Sequence, residues 1–99
     1  MTEEALREIA SVIIQSRDPG LGEDFLVAML TPRERKCMAL RWRLVCMLAA
    51  GARQRDVARK LGVSLCKITR GSRELKYGRP GFKILVRKFV EEQRAKAVN

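Results

Sequence analysis

The sequence predicts an all-α fold: a small helical domain carrying a helix-turn-helix and paired with a second copy of itself. Three observations predict it. Apolar residues recur at three- and four-residue spacing along most of the chain. Helix start and stop signals divide it into six segments. Residues 54–76 place small, glycine and apolar residues where two crossed helices need them. At 99 residues the chain is one domain, 1–99. A chain this short buries a modest fraction of its surface, so a second copy would help it stay folded.

The first helix spans residues 2–16. Thr2 is its expected cap, Glu3 and Glu4 suit the positive end of its dipole, and Leu6, Ile9, Ala10, Ile13 and Ile14 share one side. The run Ser16-Arg17-Asp18-Pro19-Gly20 stops it, because a Pro-Gly pair is a turn signal. A short second helix runs from Gly22 to Leu30, with Phe25, Leu26, Met29 and Leu30 apolar. Thr31-Pro32-Arg33-Glu34 is the clearest helix start: Thr31 at N-cap, Pro32 at N1 and Glu34 at N3, as a capping box requires. That third helix reaches about Ala50 and ends on Gly51. Its middle is apolar nearly all round, from Cys37 and Met38 through Trp42 to Leu48. A monomer's surface helix shows a stripe instead, so a second subunit is expected to cover part of it.

Residues 54–61 form a short helix closed by Gly62, and Ser64 caps the next, from Leu65 to about Lys76. Tyr77-Gly78-Arg79-Pro80-Gly81 is a turn-rich break. The last helix, 82–96, is expected to bury Phe82, Leu85, Val86, Phe89 and Val90 and to carry Lys83, Arg87 and Lys88 outward. Its tail is expected to fray.

The formal net charge of +10 comes from 21 basic and 11 acidic side chains. Residues 1–50 carry seven of each sign, whereas residues 51–99 carry fourteen basic and four acidic. A neutral half joined to a basic half reads as a scaffold with a phosphate-facing surface, so double-stranded DNA is the expected partner. No stretch of about 18 uncharged apolar residues is present to span a membrane. The acidic, polar amino end does not read as a signal peptide. Cys37, Cys46 and Cys66 show no metal-ligand spacing and no histidine is present. Cys37 and Cys46 read as buried thiols, and a reducing cytoplasm is the expected compartment. Without histidine or usefully spaced carboxylates, and with no base beside Cys66, enzyme chemistry is not expected.

In the helix-turn-helix, Val57 and Leu61 are the apolar residues of the supporting helix. Ala58 lies where the helices cross, Gly62 in the tight turn, and Val63 and Ile68 complete the small core. The second helix would enter the major groove by its N-terminal end, which holds Leu65, Cys66, Lys67, Thr69 and Arg70. Lys67 suits guanine O6 and N7, and Leu65 or Cys66 a thymine methyl. Gln54, Arg55 and Arg59 suit phosphates or a flanking base, and Arg73 and Lys76 suit phosphates. Gly71 is unexpected in mid-helix, where glycine costs about 1 kcal/mol relative to alanine. Close approach of a ligand or of another helix would explain it.

Ile68-Thr69-Arg70-Gly71-Ser72, taken with Gln54-Arg55 and with Leu30-Thr31-Pro32-x-Glu34-Arg35, resembles the tryptophan repressor family. The resemblance runs from about Leu26 to Lys76 and continues more weakly to the end. It implies an intertwined, six-helix homodimer that binds a palindromic operator when an aromatic amino acid, L-tryptophan, fills a pocket beside each reading head. It implies that Arg41 and Arg70 sandwich the indole and that Arg70 and Thr31 hold the carboxylate. Gly71 would let the ring lie close to the helix, and Val45 would wall the pocket. Ala28 and Leu30 match positions whose backbone carbonyls meet the ammonium group. Leu65, Cys66, Thr69, Gln54 and Arg55 match operator-contacting positions.

The chain departs from the family in places. Glu74 stands where a serine helps hold the ammonium, Lys67 replaces a smaller polar residue, and the loop between Gly51 and Gln54 is one residue shorter. The implied function is an amino-acid-responsive transcriptional repressor. The rival expectations are a repressor-like protein answering to another aromatic metabolite or to none, and a non-DNA interaction protein on the same scaffold.

Overall fold

The computed structural model describes residues 1–98, in six helices: α1 (Thr2–Ser16), α2 (Pro19–Met29), α3 (Pro32–Ala49), α4 (Gln54–Leu61), α5 (Leu65–Tyr77) and α6 (Pro80–Val98). The chain divides into two compact units, one ending at Cys37 and one beginning at Met38. None of these helices is long and apolar enough to cross a membrane.

In the first unit α1 lies against α2. Met1, not Thr2, occupies the N-cap of α1 and makes no side-chain cap, so Thr2 is already helical. Glu3 and Glu4 do fall in the first turn. Arg17 ends α1 in the left-handed region at φ 54°. Asp18 then caps α2, its carboxylate accepting the Gly20 N–H at 2.9 Å, with Pro19 at the start of the helix. The Pro-Gly pair that reads as a stop is therefore the opening of α2, three residues ahead of Gly22. Proline's missing N–H costs nothing at N1, and its fixed φ suits a helix. Neither α1 nor α2 buries a residue. Ile9 and Phe25 are half-buried, while Leu6, Ile13 and Ile14 are exposed. The expected apolar side of α1 is real as a pattern but uncovered in the single chain.

The second unit has a core of Leu44 and Val45 from α3, Val57 from α4, Ile68 from α5, and Val86 and Val90 from α6. Ala58, Leu61 and Val63 pack against it, as the helix-turn-helix pattern requires. Gly51, at φ 97°, ends α3 in a Schellman motif: its N–H donates to Leu48 O and the Ala52 N–H to Met47 O. Gly62, at φ 64°, turns the chain between α4 and α5, and the Val63 N–H donates to Ala58 O. Ser64 caps α5 by accepting the Lys67 N–H. The Trp42 and Phe89 ring centroids lie 5.2 Å apart, and the Arg94 guanidinium donates to Ala50 O at 2.7 Å, so α6 is tied to α3 and to the residue that follows it.

Several expectations change here. The last helix begins at Pro80 rather than residue 82, again with proline opening a helix. Val86 and Val90 are buried and Phe82 and Phe89 half-buried, but Leu85 is exposed. Cys37 is exposed and Cys46 only half-buried, because an apolar run supplies no partner to cover it. Burial still pushes the Cys46 thiol pKa up, partly offset by Arg43.

Gly71 is buried, and a Cβ there would overlap Leu44 Cδ2 and touch Val45 Cγ1. The close approach that this glycine permits is, in the single chain, that of α3. Gly71→Ala trades a helix-propensity gain of about 1 kcal/mol against overpacking of about 1–3 kcal/mol. We expect a net loss of about 1 kcal/mol in urea unfolding at fixed chain concentration. Combined with Leu44→Ala, the two losses should be less than additive by about 1 kcal/mol or more, whereas independent sites add within about 0.5 kcal/mol.

Candidate functional site

Helix α5 carries the expected reading residues. Leu65, Cys66, Lys67, Thr69, Arg70, Arg73, Glu74 and Lys76 are all exposed on it, while Ile68 and Gly71 turn into the core. Helical periodicity produces this division, since Ile68, Gly71 and Leu75 follow at three- and four-residue steps. On α4 the expected contacts Gln54, Arg55 and Arg59 are exposed, with Val57 fully buried beneath them. Arg59 is paired with Asp56 at 2.8 Å, both well exposed. Such a surface pair is worth about 0–1 kcal/mol, so the guanidinium can exchange it for a phosphate at little cost.

A groove of about 610 Å³ runs along α5. Leu65, Cys66, Thr69 and Arg73 from the expected DNA set line it. So do Arg70 and Glu74 from the expected ligand set, together with Tyr77 and Gly78. Two roles separated by sequence reasoning therefore meet on one surface. Tyr77 was missed: it stands three residues after Glu74 and four after Arg73, a helical spacing hidden by the break-like residues that follow. Gly78 closes α5, its N–H donating to Glu74 O at 2.9 Å. A Cβ at Gly78 would overlap that carbonyl and crowd Glu74 Oε2.

A second cleft, of about 300 Å³, lies elsewhere in the same unit. The expected contacts Gln54 and Lys76 line it, joined by Lys83 and Arg87 of α6, which sequence reasoning placed only on an outward face.

Of the remaining ligand-set residues, Arg41 is exposed on α3 and Val45 is 2% exposed within the core. Ala28 lies in the last turn of α2, and Leu30 and Thr31 link α2 to α3. The Leu30 N–H donates to Leu26 O, ending α2. Thr31 and Glu34 form the expected capping box: the Thr31 N–H donates to Glu34 Oε1 at 2.8 Å, and the Glu34 N–H donates to Thr31 Oγ1 at 3.2 Å. The Thr31 hydroxyl is held at the helix start as the acceptor of the Glu34 N–H.

The backbone N–H of Thr31, with its side chain second, holds the Glu34 carboxyl below the usual glutamate range. Because the folded pKa is lowered, the box stabilises the helix start above the unfolded pKa. That contribution is lost as pH falls through the folded value. Carboxyl NMR titration should find Glu34 titrating below an ordinary glutamate, and Thr31→Ala should move it upward. An unmoved Glu34 in Thr31→Ala would rule out the hydroxyl's part in the box.

The chain matches the family model described as Trp repressor protein over residues 4–90. That span is wider at both ends than the motifs resembling the family. It is 44% identical over 68 residues to the Trp operon repressor homolog of Chlamydia caviae, covering 68% of this chain and 67% of that one. The homolog from Chlamydia trachomatis serovar L2 is 40% identical over 69 residues, 69% of this chain and 73% of its own. The Pasteurella multocida homolog is 35% identical over 78 residues, 78% and 76% of the two chains. No solved structure matches the chain significantly.

Proposed function

The chain belongs to the Trp repressor family, and from that premise we propose that it is a homodimeric transcriptional repressor that binds a palindromic operator with L-tryptophan as corepressor. At the level of the family it is a DNA-binding, helix-turn-helix regulator of the Trp repressor type and not an enzyme. The observation that carries the finer reading is the α5 groove, where Arg70 and Glu74 share one helical surface with Leu65, Cys66, Thr69 and Arg73. A ligand bound at such a surface changes how α5 meets DNA.

In this reading Arg41 and Arg70 stack on the indole, and Arg70 and Thr31 hold the carboxylate. The resemblance gives the wall to Val45 and Gly71, which pack in the core of the single chain and do not line the groove, and gives the ammonium to the Ala28 and Leu30 carbonyls with the Glu74 carboxylate. A planar guanidinium suits both the ring face and the carboxylate. Lys67, Thr69, Leu65 and Cys66 read base edges, while Gln54, Arg55, Arg59, Arg73 and Lys76 hold phosphates. The uncovered apolar residues of α1 and α2 support a second copy as their cover. The protein would act in the cytoplasm. The ligand need favour the DNA-competent arrangement by only about 1–3 kcal/mol to work as a switch.

A second reading, in which another aromatic metabolite is the effector, is favoured by Glu74 and Tyr77 in the groove. A carboxylate and a phenol there change what the pocket accepts.

L-tryptophan should tighten binding to a duplex selected from randomised DNA by tenfold or more. Arg70→Ala should remove that response while leaving low-salt binding to DNA. Equal affinity with and without L-tryptophan would overturn the corepressor assignment. Calorimetry on Glu74→Ser tests the second reading: L-tryptophan binding seen only in that variant would favour another natural effector.

A further inference from the structure

The cleft shared by α4, α5 and α6 gathers cations that the sequence reading left dispersed. Lys76 comes from α5, Lys83 and Arg87 from α6, and Gln54 opens α4 beside them. Their floor is apolar, with Leu48, Ala52 and Leu75. No carboxylate lines the cleft. Among the described residues the one salt bridge is Arg59–Asp56, so Lys76, Lys83 and Arg87 are in no ion pair.

Lys83 and Arg87 stand four residues apart on one face of α6, an arrangement in which like charges repel. An anion between them would turn that repulsion into attraction. The apolar floor suits the methylene stems of the lysines, and half-buried Lys83 sits where salt screens its charge less than at an open surface.

We propose that Lys83 and Arg87 form, with Lys76 and Gln54, a clamp for a backbone phosphate of double-stranded DNA that extends the contact beyond the helix-turn-helix to α6. The proposal rests on the DNA-binding reading. Continuity favours DNA over a free anion, because Gln54 and Lys76 border the reading head itself. The clamp adds affinity and fixes the docking angle of α5 without reading sequence. It also gives α6 a direct part in binding.

The test is the salt dependence of binding by the full chain to a pool of randomised duplexes of about 30 base pairs, long enough for two half-sites one turn apart. Each phosphate contact adds about 0.9 to the slope of log affinity against log salt. Lys83→Gln with Arg87→Gln should flatten the slope by about 0.9 on each subunit, one phosphate per clamp, with the thermal midpoint kept. Lys88→Gln, an exposed cation on α6 that does not line the cleft, should leave the slope near that of the unmodified chain.

A double variant with an unchanged slope overturns the clamp while the DNA-binding reading stands. So does a Lys88→Gln variant that loses as much per charge, since net charge alone would then explain the effect. Loss of stabilisation by inorganic phosphate with no change in the DNA slope assigns the cleft to a free anion and also overturns it. If the unmodified chain binds no DNA, both readings fall together.

Discussion

Gly71 has no side chain, and α5 sits against Leu44 and Val45 of α3 because of it. That contact fixes the rotation of α5 about its own axis. With Gly71 and Ile68 facing the core, the helical repeat turns Arg70, Glu74 and Thr69 outward into the groove, and Lys76 towards the second cleft. A larger residue at 71 would move the helix or its neighbour, and every functional side chain on α5 would move with it. The same glycine is costly for helix propensity, and packing on α3 is the compensation the fold shows.

The two units differ in what they supply. The second unit holds the buried core and all of the excess positive charge, since residues 38–99 carry sixteen basic and four acidic side chains and residues 1–37 five basic and seven acidic. The first has no buried residue and a wealth of exposed apolar side chains, among them Leu6, Ile14, Leu21 and Met29. Surface of that kind is the reason a lone copy of so short a chain is an incomplete structure. The charge of the second unit is also distributed across elements: α4, α5 and α6 each place a cation or an amide on the rim of a cleft.

Six helices, the capping box at Thr31 and Glu34, and the helix-turn-helix core were legible in the sequence, because each rests on local chemistry that the sequence states directly. Gly51 and Gly62 mark true C-termini for the same reason. The errors came where one residue type serves two purposes. Pro19 and Pro80 read as breaks yet open α2 and α6, since proline both ends one helix and starts the next. Cys37 and Leu85 read as buried, because periodicity reports a face but not what covers it. Lys83, Arg87 and Tyr77 line clefts that periodicity along one segment does not reveal, because their neighbours lie on other helices or behind an apparent break. The glycine at 71 was noticed, but the sequence does not say which neighbour approaches it.

The central claim is that α5 and its symmetry mate read DNA as a pair. Selection from randomised duplexes in the presence of L-tryptophan, followed by sequencing, tests this most directly. The account predicts an enriched palindrome whose half-sites are centred about 34–36 Å apart, one helical turn. Enrichment of an asymmetric site, or no enrichment over the starting pool, would contradict it.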